Sequence, residues 1–313
     1  MRILEQLNIP KQCKKYGLSL WQCPSFLFLI MGMIIALVSV LSYLIGTRYV
    51  TEPRIVALVV LIISAILLIL ATIITNSFER LAEANRMKSE FISIVSHQLR
   101  SPLSNLAWAI ELLMSGRLGK IEEQQVEYFK ILKENSDRMK DLVKDLLIVS
   151  RIESARLFLK REEFSLEELT KEIIKEFEPF AKASNCQIEF SFEENLPKIY
   201  ADRYQIKQVI ENLLDNAIRY IKGKGMIKIR IKGEKKFVHF EIEDNGVGIP
   251  KEDQKFIFQK FFRASNVLKY KTQGTGLGLY ISKAIIERSG GKIGFKSQEG
   301  VGTTFWFRLP INE

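Results

Sequence analysis

Three groups of residues have types and spacings that could do chemistry. His97 stands in Ser96-His-Gln-Leu-Arg-Ser-Pro102 and is one of two histidines in the chain. At about 100° per residue it lies roughly opposite Leu106, on a solvent-facing helical stripe with Ser101, Ser104 and Trp108. Pro102 removes a backbone hydrogen bond and is expected to kink that helix. An exposed imidazole of this kind is a nucleophile at neutral pH, although an ordinary solvated histidine fits the same segment. Next, Asn212-Leu-Leu-Asp-Asn216 places two asparagines at i and i+4 on one helix face. Asn is a poor interior helix residue, so the pair suggests a polar task such as holding hydrated Mg²⁺; a solvated helix face is the alternative. Glycines form the third group, in Asp244-Asn-Gly-Val-Gly-Ile-Pro250, Gly274-Thr-Gly-Leu-Gly-Leu279 and Gly300-Val-Gly-Thr-Thr304. Glycine there permits positive φ and close backbone approach to phosphate, and a helix opening after Gly274 offers free N–H groups. The spacing matches neither a P-loop nor a βαβ dinucleotide fingerprint, and turn glycines are the plainer reading of any one segment.

The elements that must position these groups change character along the chain. Residues 77–116 read as one long helix, with Phe91, Val95, Leu99, Leu103, Leu106, Ile110 and Leu113 at spacings of three and four. Gly116-Arg-Leu-Gly119 breaks it. Residues 122–154 read as a second helix with Phe129, Leu132, Met139, Leu142, Leu146 and Val149 on one face. Two antiparallel helices cannot close a core alone, so a dimeric four-helix bundle is expected. Beyond that, 187–192, 226–232 and 237–243 alternate as strands. Residues 204–221 and 277–289 read as helices, and 292–297 with 303–309 as a closing hairpin. Such a mixture indicates an α/β sandwich.

Hydrophobic residues make up 47% and charged residues 26%, which excludes wholesale disorder. Residues 16–47 and 55–78 carry no charge at all. Within them, 26–46 and 55–75 are each long enough, at 1.5 Å per residue, to cross about 30 Å of hydrocarbon. Arg2, Lys11, Lys14 and Lys15 outnumber Arg48 and Arg54, which puts both termini on the cytoplasmic side of a cell membrane crossed twice. The connector 47–54 is too short for a folded external domain. The net charge of +10 is dispersed rather than blocked, so nucleic acid is not an expected partner. Cys13, Cys23 and Cys186 lack CxxC spacing, and two histidines exclude a His-rich metal site.

His97-Gln-Leu-Arg-Ser-Pro102, Asn212-Leu-Leu-Asp-Asn216, Asp244-Asn-Gly-Val-Gly248, Phe256-Ile-Phe-Gln-Lys-Phe-Phe-Arg263 and Gly274-Thr-Gly-Leu-Gly278 occur in this order. Together they resemble the H, N, G1, F and G2 boxes of membrane sensor histidine kinases of two-component systems. The resemblance covers residues 78–313. It implies two transmembrane helices, a helical hairpin that dimerises into a four-helix bundle, and a C-terminal α/β sandwich ATPase domain of the GHKL type. The corresponding division is 1–25 as an N-terminal segment, 26–75 as the membrane region, 76–156 as the dimerisation and phosphoacceptor domain and 157–313 as the ATP-binding domain.

The resemblance also implies roles. His97 would be the phosphoacceptor, flanked by Gln98 and Ser101. Asp244 would accept the adenine amino group, and Asn216 would be the Mg²⁺ ligand with Asn212 beside it. Arg219, Tyr220 and Arg263 would lie near nucleotide and phosphate. Gly246, Gly248, Gly274, Thr275, Gly276, Leu277 and Gly278 would shape the pocket, under a lid spanning 250–273. ATP and Mg²⁺ are the implied cofactors, and a second copy, the bilayer and a response regulator receiver domain the implied partners. Phosphatase activity toward that regulator would go with Ser101. Two positions depart from the family pattern: Gln98 stands where an acidic residue is usual, and Ser101 where Thr or Asn is. Only about twenty residues separate Thr75 from His97, too few for the HAMP linker domain common in the family. The rival expectations are a GHKL ATPase that uses ATP as a conformational switch, and a nucleotide-binding membrane adaptor without histidine phosphorylation.

Overall fold

The computed structural model describes residues 24–119, 121–154, 157–268 and 274–311. The N-terminal segment 1–23, with its cationic residues and two cysteines, and residues 269–273 of the expected lid lie outside the described residues. The chain divides into two compact units, Met1–Asn105 with Glu153–Arg156, and Leu106–Ile152 with Leu157–Glu313.

In the first unit, helix α1 (Pro24–Tyr49) and helix α2 (Pro53–Met114) are separated by residues 50–52 alone. Both are long and apolar enough to cross a membrane. Ser39 Oγ and Ser64 Oγ lie 2.6 Å apart between them. Gly46 faces Val56 so closely that a Cβ would collide with it. Small and hydroxyl residues at such a seam let apolar helices approach. Sequence periodicity starts a new helix near Ser77, whereas α2 runs unbroken for 62 residues, about 93 Å. The polar residues at the junction do not cap a new helix. Thr75 Oγ1 donates to Ala71 O at 2.8 Å and Ser77 Oγ to Ile73 O at 2.8 Å, so both hydroxyls are satisfied inside the existing one. Pro102 lies within α2 and does not end it.

The second unit contains the end of α2, helix α3 (Glu123–Glu153) as far as Ile152, and the sandwich. Lys133 of α3 pairs with Glu111 of α2 at 3.2 Å. Ile110, Val143 and Leu147 are buried, yet Leu106, Leu113, Tyr128, Leu132 and Met139 remain open to solvent, Leu132 by 49% and Met139 by 45%. The sandwich comprises β1 (Glu162–Phe164), α4 (Leu166–Ala183), β2 (Cys186–Phe192), β3 (Ile199–Ala201), α5 (Arg203–Arg219), β4 (Gly225–Glu234), β5 (Phe237–Asp244), a 3₁₀ turn (Gln254–Phe256), α6 (Ser265–Leu268), α7 (Gly278–Arg288), β6 (Lys292–Gln298) and β7 (Gly302–Pro310).

The main sheet has the order β2-β4-β5-β7-β6; β2 and β4 are parallel and the other pairs antiparallel. Alternation puts Ile227, Ile229, Ile231, Val238, Phe240 and Ile242 on the inner face, all buried. They meet Ile210, Leu213 and Leu214 of α5 and Ile285 of α7 in one core. Phe240 stacks on Phe307 at 4.7 Å. The expected strands and the α5 and α7 helices are present with small shifts of their ends. Helix α4 and the three-residue strands β1 and β3 are additional. The signal for α4 was a capping box: Ser165 Oγ accepts from Glu168 N at 3.2 Å.

Candidate nucleotide site and phosphoacceptor histidine

Strand β5 delivers Asp244 to the rim of the sheet. Its Oδ1 accepts from Gly246 N at 2.8 Å, and the Thr303 backbone N–H also donates to it. Burial nevertheless outweighs these donors and pushes the carboxyl up to about 6. Gly248, at φ +65, lies against the backbone of Gln298 and Glu299, and a Cβ there would collide with it. Gly276, at φ +70, is pressed in the same way against Phe261 and Phe262. Both positions need positive φ and no side chain, so the glycine pattern marks close backbone approach here.

Helix α5 supplies the next wall. Asn212 Nδ2 donates to Ser282 Oγ of α7 at 2.9 Å, and Gly278 leaves no room for a Cβ beside the Asn212 amide. Asn212 thus joins two helices. Asn216 Nδ2 reaches Asn212 Oδ1 at 3.5 Å, which turns the Asn216 oxygen away from that contact. One turn on, Arg219 Nε pairs with Asp215 at 2.5 Å. Burial raises the Tyr220 phenol, and its backbone oxygen accepts from Val247 N at 3.0 Å.

These groups enclose a cavity of about 650 Å³. Its wall includes Asn212, Asn216, Arg219, Tyr220, Asp244, Gly248, Arg263, Gly274, Thr275, Gly276 and Gly278. Two expected residues serve it from behind. Gly246 orients Asp244 through its N–H, and Leu277 is fully buried in the core. Sequence reasoning missed the contribution of α3. Asp137, Asp141 and Asp145 line the same cavity, and Asp145 Oδ2 accepts from Thr275 Oγ1 at 2.9 Å. The available signal was their i, i+4, i+8 spacing. Among the described residues no cluster of three or more metal-ligating side chains occurs.

His97, Gln98 and Ser101 belong to the first unit and are all exposed on α2. Trp108, further along the same helix, is 65% exposed. His239 lies in β5, stacked on Trp306 at 5.7 Å and 3.5 Å from Glu234, a half-buried strand residue as expected.

Two family models match this chain. Residues 87–155 match the His Kinase A (phospho-acceptor) domain, and 201–313 match the histidine kinase-, DNA gyrase B-, and HSP90-like ATPase. The chain belongs to the sensor histidine kinases. A gyrase-like ATPase would account for the second match but not the first. The circadian input-output histidine kinase CikA of Synechococcus elongatus is 31% identical over 229 residues, 72% of this chain and 30% of CikA. A solved structure of full-length ShkA in complex with AMPPNP is 27% identical, covers 71% of this chain and 45% of that one, and has a TM-score of 0.60. Histidine kinase ThkA in complex with response regulator protein TrrA is 27% identical, with 73% and 64% covered and a TM-score of 0.52. The chain spans a quarter to somewhat over a third of the length of the curated relatives it matches.

Proposed function

We propose that this chain transfers the γ-phosphoryl group of ATP to His97 and passes it to an aspartate of a response regulator. The observation that carries the reading is the cavity that gathers Asp244, Asn216 and the glycine-shaped loops in a histidine kinase. Asp244, as a desolvated carboxylate, accepts the adenine amino group; a directional bond of that kind is worth about 1–3 kcal/mol. The Asn216 oxygen, which accepts no hydrogen bond among the described residues, fits the hard-oxygen preference of Mg²⁺. One protein oxygen suffices for an ion that keeps its waters and binds substrate phosphates. When bound, that ion neutralises charge on the transferring phosphoryl group. One imidazole nitrogen of His97 forms the N–P bond as the bond from phosphorus to the ADP oxygen breaks. The proton leaves from the other ring nitrogen, which the Gln98 carbonyl holds in place while water takes the proton. Ser101 orients a water for hydrolysis of the regulator's phosphoaspartate.

The assembly follows from what the hairpin leaves open. Apolar Leu106, Leu132 and Met139 are exposed in the single chain, and a second copy would bury them as a four-helix bundle. The regulator docks beside His97, with Trp108 as an anchor, in keeping with the ThkA–TrrA complex among the relatives. Helices α1 and α2 cross the cell membrane, with both termini and the catalytic parts in the cytoplasm.

The test uses the full chain in lipid nanodiscs with γ-labelled ATP. Protein-bound label lost in acid and retained in alkali is expected. It should vanish in His97→Ala while ATP still binds. ATP hydrolysis with no label on the protein would support the switch ATPase instead.

A further inference from the structure

Helix α3 enters the nucleotide cavity with a row of carboxylates. Asp137, Asp141 and Asp145 stand one turn apart, and all line the cavity that Asn216 and Thr275 also line. Asp145 is hydrogen-bonded to the glycine loop. Its Oδ2 accepts the Thr275 hydroxyl at 2.9 Å, and the Thr275 oxygen accepts Leu277 N at 3.2 Å. Thr275 is the first side chain of the 274–278 glycine loop that opens helix α7. The other end of α7 is also held by α3. Arg288 donates to Ile152 O of α3 at 2.6 Å and to Leu157 O, just beyond α3, at 3.3 Å. Helix α7 is thus tied at its N-terminal loop by a carboxylate and at its C-terminus by a guanidinium.

A carboxylate oxygen and a phosphate oxygen ask the same of such a loop: a hydroxyl or N–H donor at the positive end of a helix. Asp141 adds to the match, because it lies within electrostatic reach of Arg219, the cation on the α5 wall. Burial raises the Asp145 carboxyl, and the Thr275 hydrogen bond opposes that rise, so the ionised form depends on the loop's donor. The proposal rests on the nucleotide reading above and adds a means of regulating that site.

We propose that Asp145 is a phosphate-mimicking latch: it occupies the Thr275 donor that a nucleotide phosphate would take, so α3 and the ATP polyphosphate compete for the glycine loop. The apparent nucleotide affinity then equals the intrinsic affinity reduced by the fraction of molecules with the latch open. Any signal that withdraws α3 raises ATP affinity, and bound ATP favours the withdrawn state to the same extent.

Isothermal titration of the full chain in nanodiscs with ATP, ADP and adenosine separates this from a structural role. In Asp145→Ala, ATP should bind about tenfold more tightly, the effect of removing one charge-assisted competing hydrogen bond. ADP should tighten as well, and adenosine, which has no phosphate, should bind as in the wild type. Asp145→Asn keeps an acceptor without the charge and should show a smaller gain of the same kind. Unchanged or weaker ATP binding in both variants overturns the latch. Equal tightening of adenosine overturns it too, because Asp145 would then hold the loop without standing in for phosphate. If Asp145→Ala does not fold, Asp145→Asn decides by the same two criteria. Wild-type chain that binds none of the three ligands overturns the nucleotide reading itself, and the latch with it.

Discussion

Asp244 keeps a carboxyl where burial disfavours its charge. The unfolded value is near 3.8 and the folded one about 6, so the native state binds more protons between these values. Stability therefore falls as pH rises from about 4 through 6 and levels off above. Two pK units set a ceiling of about 3 kcal/mol on that loss. Asp244→Asn should accordingly be at least as stable as the wild type at pH 7, by calorimetric Tm, while adenine recognition weakens by about 1–3 kcal/mol. A lower Tm with unchanged ATP affinity would make Asp244 a structural residue. Gln98 is a second residue-scale test. It has no titratable group and accepts a hydrogen bond without taking the proton. Gln98→Glu should raise the single-turnover autophosphorylation rate, most clearly below neutral pH, where water is the poorer base. A variant that is equal or slower at every pH would show that position 98 serves geometry alone. At this scale the asparagine pair was legible as polar machinery, but its division of labour was not. That Asn212 bridges to Ser282 while Asn216 donates to Asn212 depends on α7 lying against α5, which no local spacing encodes.

The elements differ in how plainly they are written. Strands β4 and β5 alternate cleanly because one face packs on helices and the other meets water, so their residues follow the period of two. Strands β1 and β3 have three residues each, too few for any period to show. The helix read over residues 77–116 continues without a break from the preceding apolar run, because Thr75 and Ser77 bond backward into the preceding turn rather than capping a new helix. The hairpin helices carry apolar stripes that the single chain leaves partly exposed, and this gives an element-scale prediction. Leu132→Glu should abolish self-association of the chain in nanodiscs or detergent, read by light scattering, while ATP affinity is retained. A dimer of undiminished stability would place the interface elsewhere. Gly278→Ala should cost about 1–3 kcal/mol through overpacking against the Asn212 amide, measured by denaturant unfolding.

For the whole molecule, continuity is the main consequence. Helix α2 runs without a break from a candidate membrane span through His97, so a rotation or tilt at the span moves the imidazole directly. Residues 50–52 alone join α1 to α2, so a signal is expected to enter through the helices, the N-terminal segment or a membrane partner rather than the connector. Replacing residues 47–54 with a flexible linker of equal length should leave signalling largely intact, and complete loss of response would assign sensing to the connector. The two matched domains were legible because each carries its own local motifs. The carboxylate face of α3 was not, because its meaning arises only where it meets Thr275, 130 positions later in the chain. The central claim is that His97 carries the phosphoryl group. Trypsin places the two histidines on separate peptides, residues 89–100 for His97 and 237–251 for His239. Mass spectrometry of the ATP-treated full chain, digested at neutral or alkaline pH to preserve the N–P bond, should find the phosphoryl group on the 89–100 peptide. Phosphorylation confined to the 237–251 peptide, or to a serine or threonine, would contradict the account.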